Sequence, residues 1–201
     1  MNLRHHSIAR LLFAALAGTG IALSATAAER VADEGTIGDA WALAEGATLA
    51  QAAYPAHLAA RGGSACIALG YLISPDGGTS DFQLLKAWNS ESGEVEPVAG
   101  YWQAFADAGA DAVGQWRFQP KPGVASAVPT RTVATIGFQG PAGGTPAEVR
   151  AHCRITGLGE YLAKLEHDRA EQGDMNRHAL DRAMQAQRRA EARAAGSRNG
   201  N

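Results

Sequence analysis

Residues 65–88 read ACIALGYLISPDGGTSDFQLLKAW, and this stretch decides the fold. Two apolar runs flank the sequence Ser74-Pro75-Asp76-Gly77-Gly78. Proline presets φ for a turn, aspartate can bond to its own backbone there, and glycine accepts a positive φ. Two strand-like runs on either side of such a turn predict a β-hairpin.

One face of this hairpin is bulky and apolar. Successive side chains of a strand point to opposite sides, so every second residue shares a face. The bulky face carries Ile67, Leu69, Tyr71 and Ile73, with Phe82 and Leu84 from the second run. The opposite face of the first run carries Cys66, Ala68, Gly70 and Leu72. Both faces are too apolar for solvent, so we expect a covering layer on each.

The chain around the hairpin supplies helices and a third strand. Apolar and small residues recur at helical spacing within residues 101–116, which predicts an amphipathic helix. Residues 130–139 predict a strand, a short helix at 56–61 follows Pro55, and residues 29–53 are interpreted as a linker. The predicted core consists of Ile67, Leu69, Tyr71, Phe82, Leu84, Phe105, Trp116, Phe118, Ile136 and Phe138.

Composition and the first residues indicate export. The chain has 201 residues, of which 46% are hydrophobic and 19% charged, and its net charge of −2 gives no electrostatic case for nucleic-acid binding. A basic start precedes an uncharged run over residues 11–28, which contains the A-x-A site Ala25-Thr26-Ala27. This pattern predicts a signal peptide over residues 1–28 and a periplasmic protein. An uncleaved inner-membrane anchor is the alternative, because the run is at the short end of a spanning helix.

The two cysteines, Cys66 and Cys153, are predicted to form a disulfide. An even number of cysteines in an exported chain favours a structural bridge. The sequence has no C-x-x-C motif and no recognisable metal-ligand spacing, so we predict no metal site. The bridge would hold a C-terminal extension, residues 141–201, over the second sheet face, where Ile155 and Leu158 would pack. Helices are predicted at 160–171 and 175–195, with a break at Gly173.

Four short motifs resemble, in order, those of the TonB C-terminal domain family. They are Tyr54-Pro55-x-x-Leu58-Ala59, Ile73-Ser74-Pro75-Asp76-Gly77, Trp116-Arg117-Phe118-Gln119-Pro120 and Ile136-Gly137-Phe138. The resemblance implies a domain over residues 54–140 with an α+β fold. Its two layers would be a three-stranded antiparallel sheet and two helices on one face of that sheet, followed here by a helical extension.

The TonB C-terminal family binds the TonB box, a short segment of outer-membrane transporters that adds as a strand to the sheet edge. The resemblance implies a peptide-binding edge formed by Arg131, Thr132, Val133, Ala134, Thr135, Ile136, Gly137 and Phe138. Main-chain hydrogen bonds would supply affinity and alternate side chains would supply selectivity. The implied partner is an outer-membrane transporter or another envelope protein, and the implied role is transmembrane transport, energy transduction or an accessory function.

The chain departs from the family's energy transducers in its N-terminal part. A transducer keeps its N-terminal helix as an anchor and has a long proline-rich spacer, whereas residues 29–53 contain no proline. The alternative is therefore an envelope protein whose edge is closed by its own tail or by a homodimer, without energy coupling. Sequence motifs of hydrolases, metalloproteases and phosphate loops do not occur, so we expect neither an enzyme nor a cofactor.

Overall fold

The computed structural model describes residues 28–124 and 127–198, so the predicted signal peptide lies outside the described residues except for its last residue. The strands are β1 Arg30–Val31, β2 Trp41–Leu43, β3 Ala65–Ile73, β4 Thr79–Asn89, β5 Phe118–Pro120 and β6 Thr130–Phe138. The α-helices are α1 Tyr101–Val113, α2 Pro146–Cys153 and α3 Leu158–Arg198, and 3-10 helices span Ile37–Asp39 and Ala56–Arg61. The α+β class is confirmed.

The main sheet is mixed and has four strands in the order β1-β6-β3-β4. Strand β3 pairs antiparallel with β4 and β6, while β1 pairs parallel with β6. The sheet therefore differs from the predicted three-stranded antiparallel layout, because residues N-terminal to the predicted domain add a strand. These residues belong to the segment 29–53 that we interpreted as a linker. The same segment supplies β2, which pairs with β5 in a second sheet, and buries the Trp41 side chain.

The first hydrophobic core lies between the main sheet and α1. Ile67, Leu69, Tyr71, Phe105 and Phe138 are buried in it, and Leu84, Trp116, Phe118 and Ile136 are partly buried against it. Helix α1 approaches the sheet closely at Gly109, where a Cβ would lie 2.7 Å from the Ile67 Cδ1. All but one of the predicted core residues therefore take part in this core.

The prediction of Phe82 as a core residue is wrong, because 38% of it is exposed. The pairing of β3 with β4 shifts register between Gly70 and Leu72, next to Asp81, whose φ of 53° is left-handed. Such an irregularity rotates the following side chain away from the face that strict alternation predicts.

A disulfide holds α2 against the second face of the sheet, as predicted. Cys66 and Cys153 are bonded, with their Cα atoms 5.9 Å apart. A second buried cluster surrounds the bond and includes Ala68, Val133, Val149, Ile155 and Leu158. The predicted packing of Ile155 and Leu158 over this face is confirmed.

Helix α3 is continuous, so the predicted break at Gly173 is wrong. A glycine inside a helix costs only about 1 kcal/mol relative to alanine, and most neighbouring residues here favour helix. The helix joins the second cluster through its first turns, where Leu158 is buried and Tyr161 and Leu162 are partly buried. Among the described helices, none is long and apolar enough to cross a membrane.

Candidate peptide-binding edge of strand β6

The predicted edge residues, 131–138, all lie in β6, whose inner side pairs with β3 over its whole length. Backbone groups of alternate residues point to the outer side. The Arg131 carbonyl accepts there from the Ala32 N–H, and the Thr135 N–H donates there to Glu34. The same alternation turns the backbone groups of Val133 outward, between these two.

Strand β1 covers the first part of this outer edge. The Arg30 N–H donates to the Pro129 carbonyl at 2.8 Å, and the Ala32 N–H donates to the Arg131 carbonyl at 2.9 Å. The Arg131 guanidinium also forms an ion pair with the Glu29 carboxylate. The N-terminal segment of the chain, rather than its C-terminal tail, therefore lies on part of the edge that we predicted to receive a peptide.

The Glu34 side chain extends this cover to Thr135. Its carboxylate accepts from the Thr135 N–H at 2.8 Å and from the Thr135 hydroxyl at 2.7 Å. A side-chain carboxylate thus takes the place of the carbonyl that a paired strand would offer. Glu34 is exposed, and a backbone carbonyl that took its place would restore the hydrogen bond of the Thr135 N–H, so the exchange replaces one acceptor by another instead of leaving the donor without one.

Asp33 ties the same segment to the start of α3. Its carboxylate oxygens accept from the Leu158 N–H at 2.6 Å and from the Gly157 N–H at 3.3 Å. The first N–H groups of a helix have no partner within it, and the helix dipole favours an anion there. We call residues 29–34 the N-terminal strap. The strap connects the outer edge of β6 with the C-terminal extension.

Beyond the strap, β6 borders an open groove. In the part of the chain that the structure describes, no strand pairs with the outer side of β6 after Arg131. Two cavities of about 210 and 280 Å³ lie along this side, and Glu34, Leu49 and Trp116 line both of them. We call these two cavities the edge groove. It reaches from Val133 to Gly137.

The edge groove is apolar at one end and mixed at the other. Tyr71 lines the smaller cavity, and burial raises the pKa of its hydroxyl, as does the negative charge of Glu34. The hydroxyl is therefore neutral throughout the physiological pH range. Arg150 lines the larger cavity together with Glu34, so opposite charges flank that part of the groove.

The opposite edge of the main sheet, strand β4, is less suited to strand addition. Two register shifts interrupt its pairing with β3, and irregularities of this kind protect an edge against a further strand. The Tyr161 hydroxyl also donates to the Leu85 carbonyl at 2.7 Å, so the start of α3 lies against β4. The outer side of β6 is therefore the better candidate for a peptide site.

Sequence reasoning missed the strap. Its strand pairs only Arg30 and Val31 with β6, which is too short for a recognisable alternation. Its side-chain contacts come from the carboxylates of Glu29, Asp33 and Glu34, and acidic side chains are more typical of a solvated surface. In the described residues, the structure has no group of three or more side chains that could hold a metal ion.

No protein family model and no curated protein matches this chain. Among solved structures, the chain is similar to the solution NMR structure of the TonB C-terminal domain of Pseudomonas aeruginosa. The two share 19% sequence identity, with a TM-score of 0.38, and the match covers 52% of this chain and 90% of that one.

Proposed function

We propose that this chain is a TonB-like periplasmic protein that binds an extended peptide segment along the outer edge of β6. The observation that carries this proposal is the hydrogen bonding of Thr135, whose outward N–H is held by an exposed carboxylate instead of a strand. An incoming strand would replace that carboxylate with a backbone carbonyl. It would also form hydrogen bonds with the outward N–H and carbonyl of Val133. Such main-chain hydrogen bonds are the source of affinity in strand addition.

The partner in this proposal is a peptide segment of an outer-membrane transporter or of another envelope protein. The four motifs between residues 54 and 138 support this partner class through their resemblance to the TonB C-terminal family. The role is transmembrane transport, either as an energy transducer or as an accessory factor. It requires neither a cofactor nor an enzymatic step.

The N-terminal strap supports a second candidate function. Because β1 and Glu34 already cover part of the edge, the chain can be a structural envelope protein that closes its own sheet. A second copy of the chain, paired along the edge groove, would complete the closure. This candidate involves no energy coupling.

Substitutions at Thr135 test the proposed peptide site. Random linear peptides displayed on phage are selected on the immobilised full chain, and the best binder is then synthesised. Thr135→Pro removes the outward N–H, whereas Thr135→Val keeps it and removes only the hydroxyl that contacts Glu34. We expect Thr135→Pro to weaken peptide binding about tenfold or more, while Thr135→Val changes it by less than about threefold.

A further variant and a mass measurement complete this test. Glu34→Ala should strengthen binding, because it removes the carboxylate that competes for the Thr135 N–H. Undiminished binding to Thr135→Pro would show that the peptide lies elsewhere and would overturn the proposal. Analytical ultracentrifugation separates the second candidate: a dimer that Thr135→Pro converts to a monomer would assign the edge to a second copy.

A further inference from the structure

The smaller cavity of the edge groove is an apolar opening at the middle of the β6 edge. Its volume is about 210 Å³, and its lining includes Leu43, Leu49, Tyr71, Trp116, Phe118 and Ala134. An apolar cavity of about 150 Å³ accommodates benzene, so this opening is large enough for one large apolar side chain.

Two leucines at this opening are exposed without an evident structural reason. Leu43 is 38% exposed and Leu49 is 45% exposed. Single exposed leucines are common, but here both face one cavity beside an unpaired strand edge. A side chain that entered the cavity would remove apolar surface of both leucines from water.

The register of β1 shows how an incoming strand would meet this cavity. Val31 pairs in parallel with Arg131. A strand that continued in this register would place the third residue after the position of Val31 beside Ala134. Ala134 belongs to the first core, whereas Val133 belongs to the second cluster. Paired residues of neighbouring strands point to the same face. The residue beside Ala134 therefore points toward the cavity.

In the present structure the strap leaves the edge before it reaches that position. Residues 34–36 form a turn, and the exposed Glu34 reaches back to Thr135 through its side chain. The strap therefore follows the path of a bound strand only as far as Ala32. No residue of the strap continues that strand beside Ala134, where a side chain would point toward the cavity.

We infer that this cavity is a specificity site, which takes one phenylalanine-sized or leucine-sized side chain of a peptide that pairs in parallel with β6. The inference rests on the proposed function, because it requires a peptide at the edge. It adds the class of side chain that selects the peptide. An acidic residue at this position would lose water among mainly apolar side chains and would be repelled by the Glu34 carboxylate, which also lines the cavity.

A cycle of substitutions in the peptide and the protein tests the site. Each residue of the selected synthetic peptide is replaced in turn by alanine, and binding is measured on the full chain. We expect one apolar residue whose replacement weakens binding at least about tenfold. On the Leu49→Asp variant, the same replacement should have an effect below about threefold, since the charged rim no longer favours an apolar side chain.

Leu180→Asp is the matched control, because Leu180 is an exposed leucine of α3 outside the groove, and Leu43→Asp is the second groove variant. Replacement of the apolar peptide residue by alanine should weaken binding to Leu180→Asp as much as binding to the original chain. The same replacement should have little effect on binding to Leu43→Asp. The specificity site would be overturned if the alanine replacement in the peptide weakened binding equally on the original chain and on all three aspartate variants. The proposed edge would remain intact in that case if Thr135→Pro still weakened binding. Binding insensitive to Thr135→Pro would overturn both.

Discussion

At the scale of single residues, Gly77 is the position where the backbone leaves least freedom. Its φ is +83°, and a Cβ there would lie 1.8 Å from the Phe118 carbonyl oxygen. The Gly77 carbonyl also accepts from the Phe118 N–H at 2.9 Å, so the hairpin turn contacts the start of β5 directly. The glycine that the sequence indicated for its turn conformation is therefore also required for a close approach of two backbones.

We predict that Gly77→Ala lowers the free energy of unfolding by about 3 kcal/mol or more. A left-handed conformation costs an alanine roughly 1–2 kcal/mol, and the overlap with Phe118 adds the loss of a hydrogen bond and of packing. Gly46→Ala is the matched control, because Gly46 has a φ of +73° and no atom within 4 Å of its Cβ position. Urea unfolding checks both variants, and equal losses would contradict the role of the Phe118 contact.

At the scale of elements, the sequence correctly predicted that a second layer covers the small-residue face of β3. The small apolar residues Cys66, Ala68 and Gly70 predicted a second layer, and the second cysteine located it in the C-terminal extension. Reasoning failed at Phe82, because a left-handed Asp81 interrupts the alternation that the prediction used. Irregularities of this kind depend on pairing with the next strand, which a local pattern does not contain.

The candidate edge could be predicted only in part. The residues of β6 followed from alternation and from the motif resemblance, but the strap on its outer side did not. The strap is held by side-chain contacts between residues more than a hundred positions apart, such as Glu34 with Thr135 and Asp33 with Leu158. No periodicity along the chain encodes contacts between such distant residues.

We predict that Asp33→Ala loosens the strap and weakens the start of α3. Loss of a carboxylate that accepts from the first N–H groups of a helix costs about 1 kcal/mol. Hydrogen exchange should accelerate at the Ala32 amide, which donates to the Arg131 carbonyl. The reason is that the strap then keeps its contacts with β6 but loses its contact with the start of α3. Asp33→Asn keeps an acceptor in the same place and should behave more like the original chain. An unchanged Ala32 exchange rate in Asp33→Ala would contradict the coupling of strap and helix.

At the scale of the whole molecule, α3 divides into a part that belongs to the domain and a part that extends from it. Leu158 is fully buried, and Tyr161 reaches the Leu85 carbonyl. Further along, Met175, Leu180 and Met184 are 62%, 60% and 42% exposed. The part from Met175 onward also carries six arginines against Asp181 and Glu191. We therefore predict that the domain ends within α3 and not at the last sheet strand.

Two shortened chains test where the domain ends. A chain that stops after Glu171 should melt within about 4 °C of the full chain, since it loses less than about 1 kcal/mol of stabilisation. A chain that stops after Gly157 loses the buried Leu158 side chain, the Leu158 N–H that donates to Asp33, and the Tyr161 hydroxyl that donates to Leu85. Its unfolding free energy should therefore fall by about 3 kcal/mol or more. Calorimetry measures both, and Leu158→Ala in the full chain should reproduce about 2–5 kcal/mol of the second loss. A large loss on removal of residues 172–201 would instead mean that the basic end of α3 packs against the domain and contributes to its stability.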